Sequence, residues 1–436
     1  MSLIVVLGAA ESGVGAAILA AKKGFEVFVS DRDEIKESYK NMLAEHAIPY
    51  EEGGHTTERI FEATEVVKSP GIPDHVPLVK ALLAKGIPVI SEIEFASRYT
   101  TATLIGITGS NGKTTTTLLT YHLLKNAGLN VEMAGNVGFS FAAHVAIHAP
   151  VDYYVLELSS FQLDGIQEFR PNISMLLNIT PDHMDRYEYK LENYARSKFR
   201  IAMNQREDDL FLYNLSDPNV QEFAKSSKTA AQLVPLTIAM LHGTGIEVDG
   251  SSFDLSATQL RGPHNAMNAL FAVKTAKALG ISDAAIKAAL LSFVPAPHRL
   301  ERVAEIAGVE YINDSKATNV DSVFYALQAM DRPVIWIAGG QDKGNDYEPL
   351  LVLAKAKVKA VVCMGVDNSK IVEVFAPIVS TIRETRSAAE AVKTAQALAE
   401  SGDAVLLSPA CASFDLFRNY EDRGDQFRAA VLDLMA

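Results

Sequence analysis

Short runs of β-branched and aliphatic residues alternate with helical patterns through the first hundred positions: LIVVLG (3–8), EVFVS (26–30), VVKSPGI (66–72) and PVI (88–90). Apolar runs of this length, separated by helical stretches, predict a parallel α/β sheet. The rhythm restarts at TLIGITGSNGKTTTT (103–117), after the polar stretch SRYTTAT (97–103), and continues through YYVLELSS (153–160), NISMLLNIT (172–180) and DLFLYN (209–214). A second break falls at VPAPHR (294–299), where two prolines flank one alanine just beyond a helix expected to end near Ser292. YIND (311–314), PVIWIAGG (333–340), AVVCMG (360–365) and AVLLSPA (404–410) follow, each succeeded by a helical pattern, so the last part is again expected to be doubly wound.

A length of 436 residues corresponds to two to four domains, and the two breaks favour three. With 48% hydrophobic and 21% charged residues, each domain can bury a core. The 53 acidic residues outnumber the 40 basic ones, for a net charge of −13, which argues against nucleic acid or an anionic membrane as a partner. Anionic ligands must then be held by local basic groups. Cys363 and Cys411 are too few for a disulfide framework or a four-ligand zinc site, and are expected to be reduced thiols of a cytoplasmic protein. The apolar segment 1–21 lacks a basic residue before its apolar run, has Glu11 at its centre and is interrupted by Gly8, Gly13 and Gly15, so it reads as strand, turn and helix rather than a signal peptide or anchor.

The most informative chemistry lies at GITGSNGKTTTT (106–117), between an apolar strand and an amphipathic stretch. A glycine-rich turn there points backbone N–H groups and a helix N-terminus at a phosphate chain, Lys113 reaches the terminal phosphates, and Thr114 offers a hydroxyl to Mg²⁺. The general spacing G-x-x-x-x-G-K-[ST] fails by one position, because residue 107 is Ile107. The expected architecture is therefore α/β with a Rossmann-like domain over 1–95, a central phosphate-loop ATPase-like domain with a mostly parallel sheet over 96–298, and a Rossmann-like domain over 299–436. The other glycine-rich turn, GAAESGVG (8–15), does not satisfy G-x-G-x-x-G, although Asp31 closes the second strand. It leaves three readings open: a dinucleotide, another nucleotide diphosphate, or plain strand–helix packing.

TGSNGKT (108–114) resembles the shortened phosphate loop of the Mur ligases and of folylpolyglutamate synthases, which form amide bonds through an acyl phosphate. ELSSFQL (157–163), NITPDHMDRY (178–187), GPHNAMNALFA (262–272), NDSKATN (313–319), GGQDKG (339–344), SPACASFD (408–415) and KSPGI (68–72) extend the likeness over the whole chain. They resemble the Mur branch that joins D-glutamate to UDP-N-acetylmuramoyl-L-alanine; no DNPR stretch, the mark of the diaminopimelate-adding relative, occurs.

The resemblance implies ATP bound by Gly109, Ser110, Asn111, Gly112, Lys113, Thr114 and Thr115, with Asn268 on adenine and Arg299 and Asp314 toward the phosphates or ribose. It implies two Mg²⁺ ions served by Thr114, Glu157, His183 and a Lys198 carbamylated by CO₂, and a catalytic group of Lys113, Glu157, His183 and Lys198. The uridine nucleotide is expected near Ser12, Asp31, Arg32 and Gly71, and its muramoyl-alanine portion at Asn136. For D-glutamate the resemblance points to Lys316, Thr318, Lys343, Ser413, Phe414 and Tyr420; lysine and hydroxyl donors are the expected partners of its two carboxylates. A monomer without membrane or nucleic-acid partners is expected. The rivals are a folylpolyglutamate synthase and a nucleotide-gated binding module without chemistry; the second fits poorly with Lys113, Glu157, His183 and Lys198 all present.

Overall fold

The computed structural model describes residues 2–435. The first apolar runs become β1 (Leu3–Leu7), β2 (Glu26–Ser30), β3 (Tyr50–Glu51), β4 (Glu65–Lys68) and β5 (Val89–Ser91), in one parallel sheet ordered β3-β2-β1-β4-β5. Every residue of β1 is buried, so it reads as an unbroken apolar run: a parallel strand packed on both faces has no wet side to alternate with. The expected strand, turn and helix of the first segment are β1 and the helix Glu11–Lys22. Among the described residues no helix is long and apolar enough to cross a membrane.

The central sheet holds β6 (Thr103–Thr108), β7 (Val131–Gly135), β8 (Tyr153–Glu157), β9 (Ile173–Leu176), β10 (Leu210–Asn214) and β11 (Gln232–Leu236), ordered β11-β10-β9-β6-β8-β7 and parallel throughout. A small antiparallel sheet of β12 (Leu241–His242), β13 (Gly245–Val248) and β14 (Ser251–Asp254) follows, which the apolar pattern did not predict. The last sheet contains β15 (Glu301–Ile306), β16 (Val309–Asn313), β17 (Val334–Ala338), β18 (Val358–Met364), β19 (Ile382–Thr385) and β20 (Ala404–Leu407), ordered β15-β16-β20-β17-β18-β19. Its core is doubly wound as expected, and β15 adds an antiparallel edge. The sheets fall into two compact units: β1 to β14 with residues 267–292 form one, and β15 to β20 with residues 257–266 the other.

Within the first unit, the connector between the first two sheets is fastened by buried carboxylates. Glu94 Oε2 accepts the N–H groups of Gln167, Glu168 and Phe169 at 2.8–2.9 Å. Glu92 Oε1 accepts the Ser140 hydroxyl at 2.7 Å and the Ala142 N–H. A Cβ at Gly15 would stand 2.2 Å from Ser140 Oγ, so the helices Glu11–Lys22 and Phe141–Ile147 require glycine there to approach.

Burial pushes the Glu92 carboxyl up to about 7, against the opposing pull of the Ala142 N–H and the Ser140 hydroxyl. A carboxyl whose folded pKa lies above its unfolded one binds its proton more tightly when folded, so its contribution to stability falls as pH rises between those values. The unfolding free energy of Glu92→Gln minus that of the parent should therefore rise by about 3 kcal/mol from pH 4.5 to 7, whatever the constant cost of the substitution. Urea titrations at several pH values measure it; a flat difference would refute it.

Candidate active site

The phosphate turn follows β6 and opens the helix Lys113–Asn126. Gly112, its N-cap, has φ +84°, and a Cβ there would lie 2.5 Å from Asn268 Oδ1. Both the left-handed backbone and the asparagine contact demand glycine, and they bring the adenine-assigned Asn268 directly against the turn. Asn265, its neighbour three residues earlier, instead donates to Arg261 O at 2.9 Å.

The turn is braced by the segment after β9. Asn178 accepts the Ser110 N–H through its carbonyl and the Asn111 N–H through Oδ1, at 3.0 and 2.8 Å, and donates its own amide to Asn111 O. Ser110 Oγ donates to Thr180 O and lies 3.2 Å from the Tyr194 hydroxyl. The N–H groups of Ser110 and Asn111 are thus committed inside the protein, and of the two features expected to face a phosphate, backbone N–H groups and a helix N-terminus, the helix N-terminus at Lys113 is the one these bonds leave unoccupied.

Two lysines converge on one oxygen. Lys113 Nζ donates to Gly109 O and Ser110 O, both at 2.8 Å. Lys198, on the helix Leu191–Phe199, is 1% exposed and donates to the same Gly109 O at 2.7 Å, with its amine 4.5 Å over the Tyr194 ring. Burial first, and then the Lys113 charge, hold the Lys198 amine well below the ordinary lysine range; Asp182, Asp164 and Glu157 pull the other way.

Glu157 ends β8 and is 2% exposed. Its Oε1 accepts the Asn136 amide at 2.8 Å, while Oε2 is buried without a hydrogen-bond partner. An unpartnered buried carboxylate oxygen is costly and fits a cation ligand. Asn136, assigned by resemblance to the muramoyl portion, thus spends its amide on this carboxylate. His183 has a left-handed backbone, φ 52°, and a half-exposed ring 4.9 Å from Phe161. Among the described residues no three His, Cys, Asp or Glu side chains form a metal-ligating group. The expected metal set depends instead on a threonine, a modified lysine and phosphate oxygens beside Glu157 and His183.

In the first sheet, the Gly8 turn is tight: a Cβ at Gly13 would stand 1.8 Å from Gly8 O. Ser12 is half-buried in the first turn of the following helix. Asp31 Oδ2 takes the Ala9 N–H at 2.6 Å, and Arg32 is exposed beside Asp33. Glu11 turns away and accepts the Ser140 N–H at 3.2 Å. Gly71 lies in a turn whose carbonyls are held by Arg186.

In the second unit, the amino-acid candidates lie on the loops after β16, β17 and β20 and at the start of the helix Tyr420–Leu432. Lys316 Nζ lies 3.5 Å over the Tyr420 ring, Ser413 is buried, and Thr318, Lys343 and Phe414 are exposed. Asp314 is buried; it accepts the Leu300 N–H and the Ser408 hydroxyl, and burial pushes its carboxyl up to about 7 against those bonds and the charges of Arg299 and Arg423. Sequence reasoning missed Arg423. It is fully buried and donates to Ser315 O, Ser315 Oγ and Cys411 O, binding together the two loops that carry Lys316 and Ser413. A buried arginine looks like a surface one in sequence. The signals for Asn178 and Tyr194 were equally weak, because Asn178 acts on the turn's backbone and Tyr194 on Ser110 and the Lys198 amine, contacts that no local pattern announces.

The site joins a helix-opening glycine turn, two lysine amines on one of its carbonyls and a buried carboxylate at the C-terminal end of β8, the edge at which parallel α/β sheets bind ligands. Profiles of the Mur ligase middle domain, the Mur ligase glutamate ligase domain and the MurD N-terminal domain match residues 107–276, 298–411 and 4–77. The UDP-N-acetylmuramoylalanine--D-glutamate ligase of Christiangramia forsetii is 52% identical over 442 residues, 99% of each chain. The enzyme of that name from Porphyromonas gingivalis is 51% identical over 444 residues, covering 99% of this chain and 98% of its own. The solved MurF ligase of Thermotoga maritima in complex with ADP shares the fold, with a TM-score of 0.62 at 16% identity over 94% of this chain and 96% of its own. The chain belongs to the Mur ligase family, in the branch of these D-glutamate ligases.

Proposed function

We propose that the chain condenses UDP-N-acetylmuramoyl-L-alanine with D-glutamate while splitting ATP to ADP and phosphate, a step of peptidoglycan precursor synthesis. The observation that carries the chemistry is the pair of lysine amines on Gly109 O beside Glu157. The full-length identity to D-glutamate ligases supports the choice of substrates, and with it the choice over a folylpolyglutamate synthase or a binding module without chemistry.

A carboxylate oxygen of the alanyl group attacks the γ-phosphorus, the bond to ADP breaks, and an acyl phosphate forms. The glutamate amine then attacks the acyl carbon, phosphate leaves, and the amine loses a proton. Lys113 stabilises charge on the transferring phosphoryl group. Asn268 meets adenine beside Gly112, and the resemblance assigns Arg299 and Asp314 to ATP as well. Asn136 holds Glu157 in register, and Lys316, Thr318, Lys343 and Ser413, with Phe414 and Tyr420, receive the amino acid. Ser12, Asp31, Arg32 and Gly71 line the uridine end. Glu157, Thr114, His183 and a carbamylated Lys198 would hold two Mg²⁺ ions, which supply charge neutralisation at the phosphates. The unpartnered Glu157 Oε2 supports that assignment. The working division is 1–95, 96–298 and 299–436 for nucleotide-sugar, ATP and amino acid, in a cytoplasmic monomer.

The test is ADP release from ATP and UDP-N-acetylmuramoyl-L-alanine, with and without D-glutamate. Release should depend on both acceptor and D-glutamate, with L-glutamate and D-alanine poor substitutes, because donors placed for both carboxylates of one enantiomer are not all met by the other enantiomer or by a single carboxylate. Equal rates with L-lysine or diaminopimelate would overturn the assignment.

A further inference from the structure

The turn that carries His183 is strained. His183, Glu188 and Tyr189 are all non-glycine residues in the left-handed region, with φ of 52°, 57° and 57°. Such a backbone persists only where surrounding contacts over-determine it. Arg186, inside this turn, supplies several. Its guanidinium donates to Pro70 O at 3.1 Å, Gly71 O at 3.2 Å and Ile72 O at 3.2 Å, and it lies 4.2 Å over the Phe161 ring. The same ring meets the His183 imidazole at 4.9 Å.

Arginine suits three consecutive carbonyls because its donors form a planar, fixed fork. A trans peptide points its N–H opposite its carbonyl, so holding Pro70 O also sets the direction of the Gly71 N–H. The turn is tied at its other side by Lys68 Nζ on Ile72 O at 2.6 Å and by Ser69 Oγ on Gly8 O at 3.2 Å, which joins it to the first glycine turn. All three acceptors of Arg186 are neutral, so its positive charge is retained beside the turns assigned to an anionic nucleotide.

We infer that Arg186 is a positioning residue for the nucleotide-sugar substrate: it fixes the 69–72 turn and, through Phe161, ties that turn to the His183 turn. The inference rests on the proposed function.

Calorimetric titration of the full chain with UDP-N-acetylmuramoyl-L-alanine, and separately with a non-hydrolysable ATP analogue, tests it in the parent, Arg186→Ala, Arg186→Lys and Phe161→Leu. Arg186→Ala should bind the muramoyl nucleotide about tenfold more weakly or worse, as expected for lost charge-assisted hydrogen bonds. Arg186→Lys should recover part of the loss, Phe161→Leu should show a smaller one, and the ATP analogue should bind all four alike. In steady state the KM for the muramoyl nucleotide rises while that for ATP does not. Muramoyl-nucleotide binding by Arg186→Ala within about twofold of the parent, or equal weakening of both ligands, would overturn the inference. If Arg186→Ala does not fold, Arg186→Lys carries the same comparison. A parent that binds the ATP analogue but not the muramoyl nucleotide would defeat the functional reading itself, and the inference with it.

Discussion

Lys113→Ala should lose about 10²-fold or more in ADP release, the scale expected when a preorganised charge donor is removed from a phosphoryl-transfer site. Its amine is held at the turn by Gly109 O and Ser110 O, 2.8 Å from each, so the cation is in place before any phosphate arrives. Preorganisation of this kind avoids reorganisation cost during the reaction, and no neighbour replaces it: Lys198 is buried on the far partner of the same carbonyl, with an amine biased toward its neutral form. The substitution also gives up the two hydrogen bonds to Gly109 O and Ser110 O, so melting is measured beside turnover to separate lost chemistry from lost folding. Turnover near the parent value, with melting unchanged, would show that the turn does not hold the reacting phosphates.

The strands legible in the sequence were those buried on both faces. β1, β6 and β17 are apolar runs between turn residues, and their positions match the pattern closely. The strands that escaped are short, or lie at edges where half the side chains meet water. β19 reads IRET with its two middle residues exposed, β15 is a polar antiparallel edge, and β3 has two residues. The β13–β14 hairpin did carry a signal, since Asp249-Gly250 is a turn pair and both residues have positive φ, 49° and 75°. It was hidden by weak apolar content on either side.

The site divides in the same way. Residue types at the phosphate turn follow from local spacing, so Lys113 and Gly112 could be named from the sequence. What the spacing could not give is convergence: Lys198 reaches Gly109 across 89 positions of chain, and Asn136 reaches Glu157 across 21. Bracing residues are harder still. Asn178, Arg186 and Arg423 act on backbone groups, and a side chain that recognises a carbonyl leaves no compositional trace of its target.

Lys198→Ala should be nearly inactive and partly rescued by acetate or propionate. The amine of Lys198 is enclosed, with Tyr194 beneath it and Gly109 O as its acceptor, and a bare ammonium there sits against the Lys113 charge. Removing water disfavours the charged form and the neighbouring cation adds to that, so the neutral amine is populated at lower pH than for a lysine in water. The neutral amine is the form that attacks CO₂: a C–N bond forms, one proton is released, and the product is a carbamate anion. That reverses the charge of the side chain, from a cation repelled by Lys113 to an anion that Lys113 attracts. Carbamate should therefore persist toward neutral pH and be lost as acid protonates the amine. Labelled bicarbonate should give a carbonyl resonance in the parent that is absent from Lys198→Ala, and activity of CO₂-stripped parent should return on adding bicarbonate. Short carboxylates rescue the alanine variant because they restore the anion without the tether. Full activity of Lys198→Ala, indifferent to carboxylate and bicarbonate, would reduce Lys198 to a packing residue.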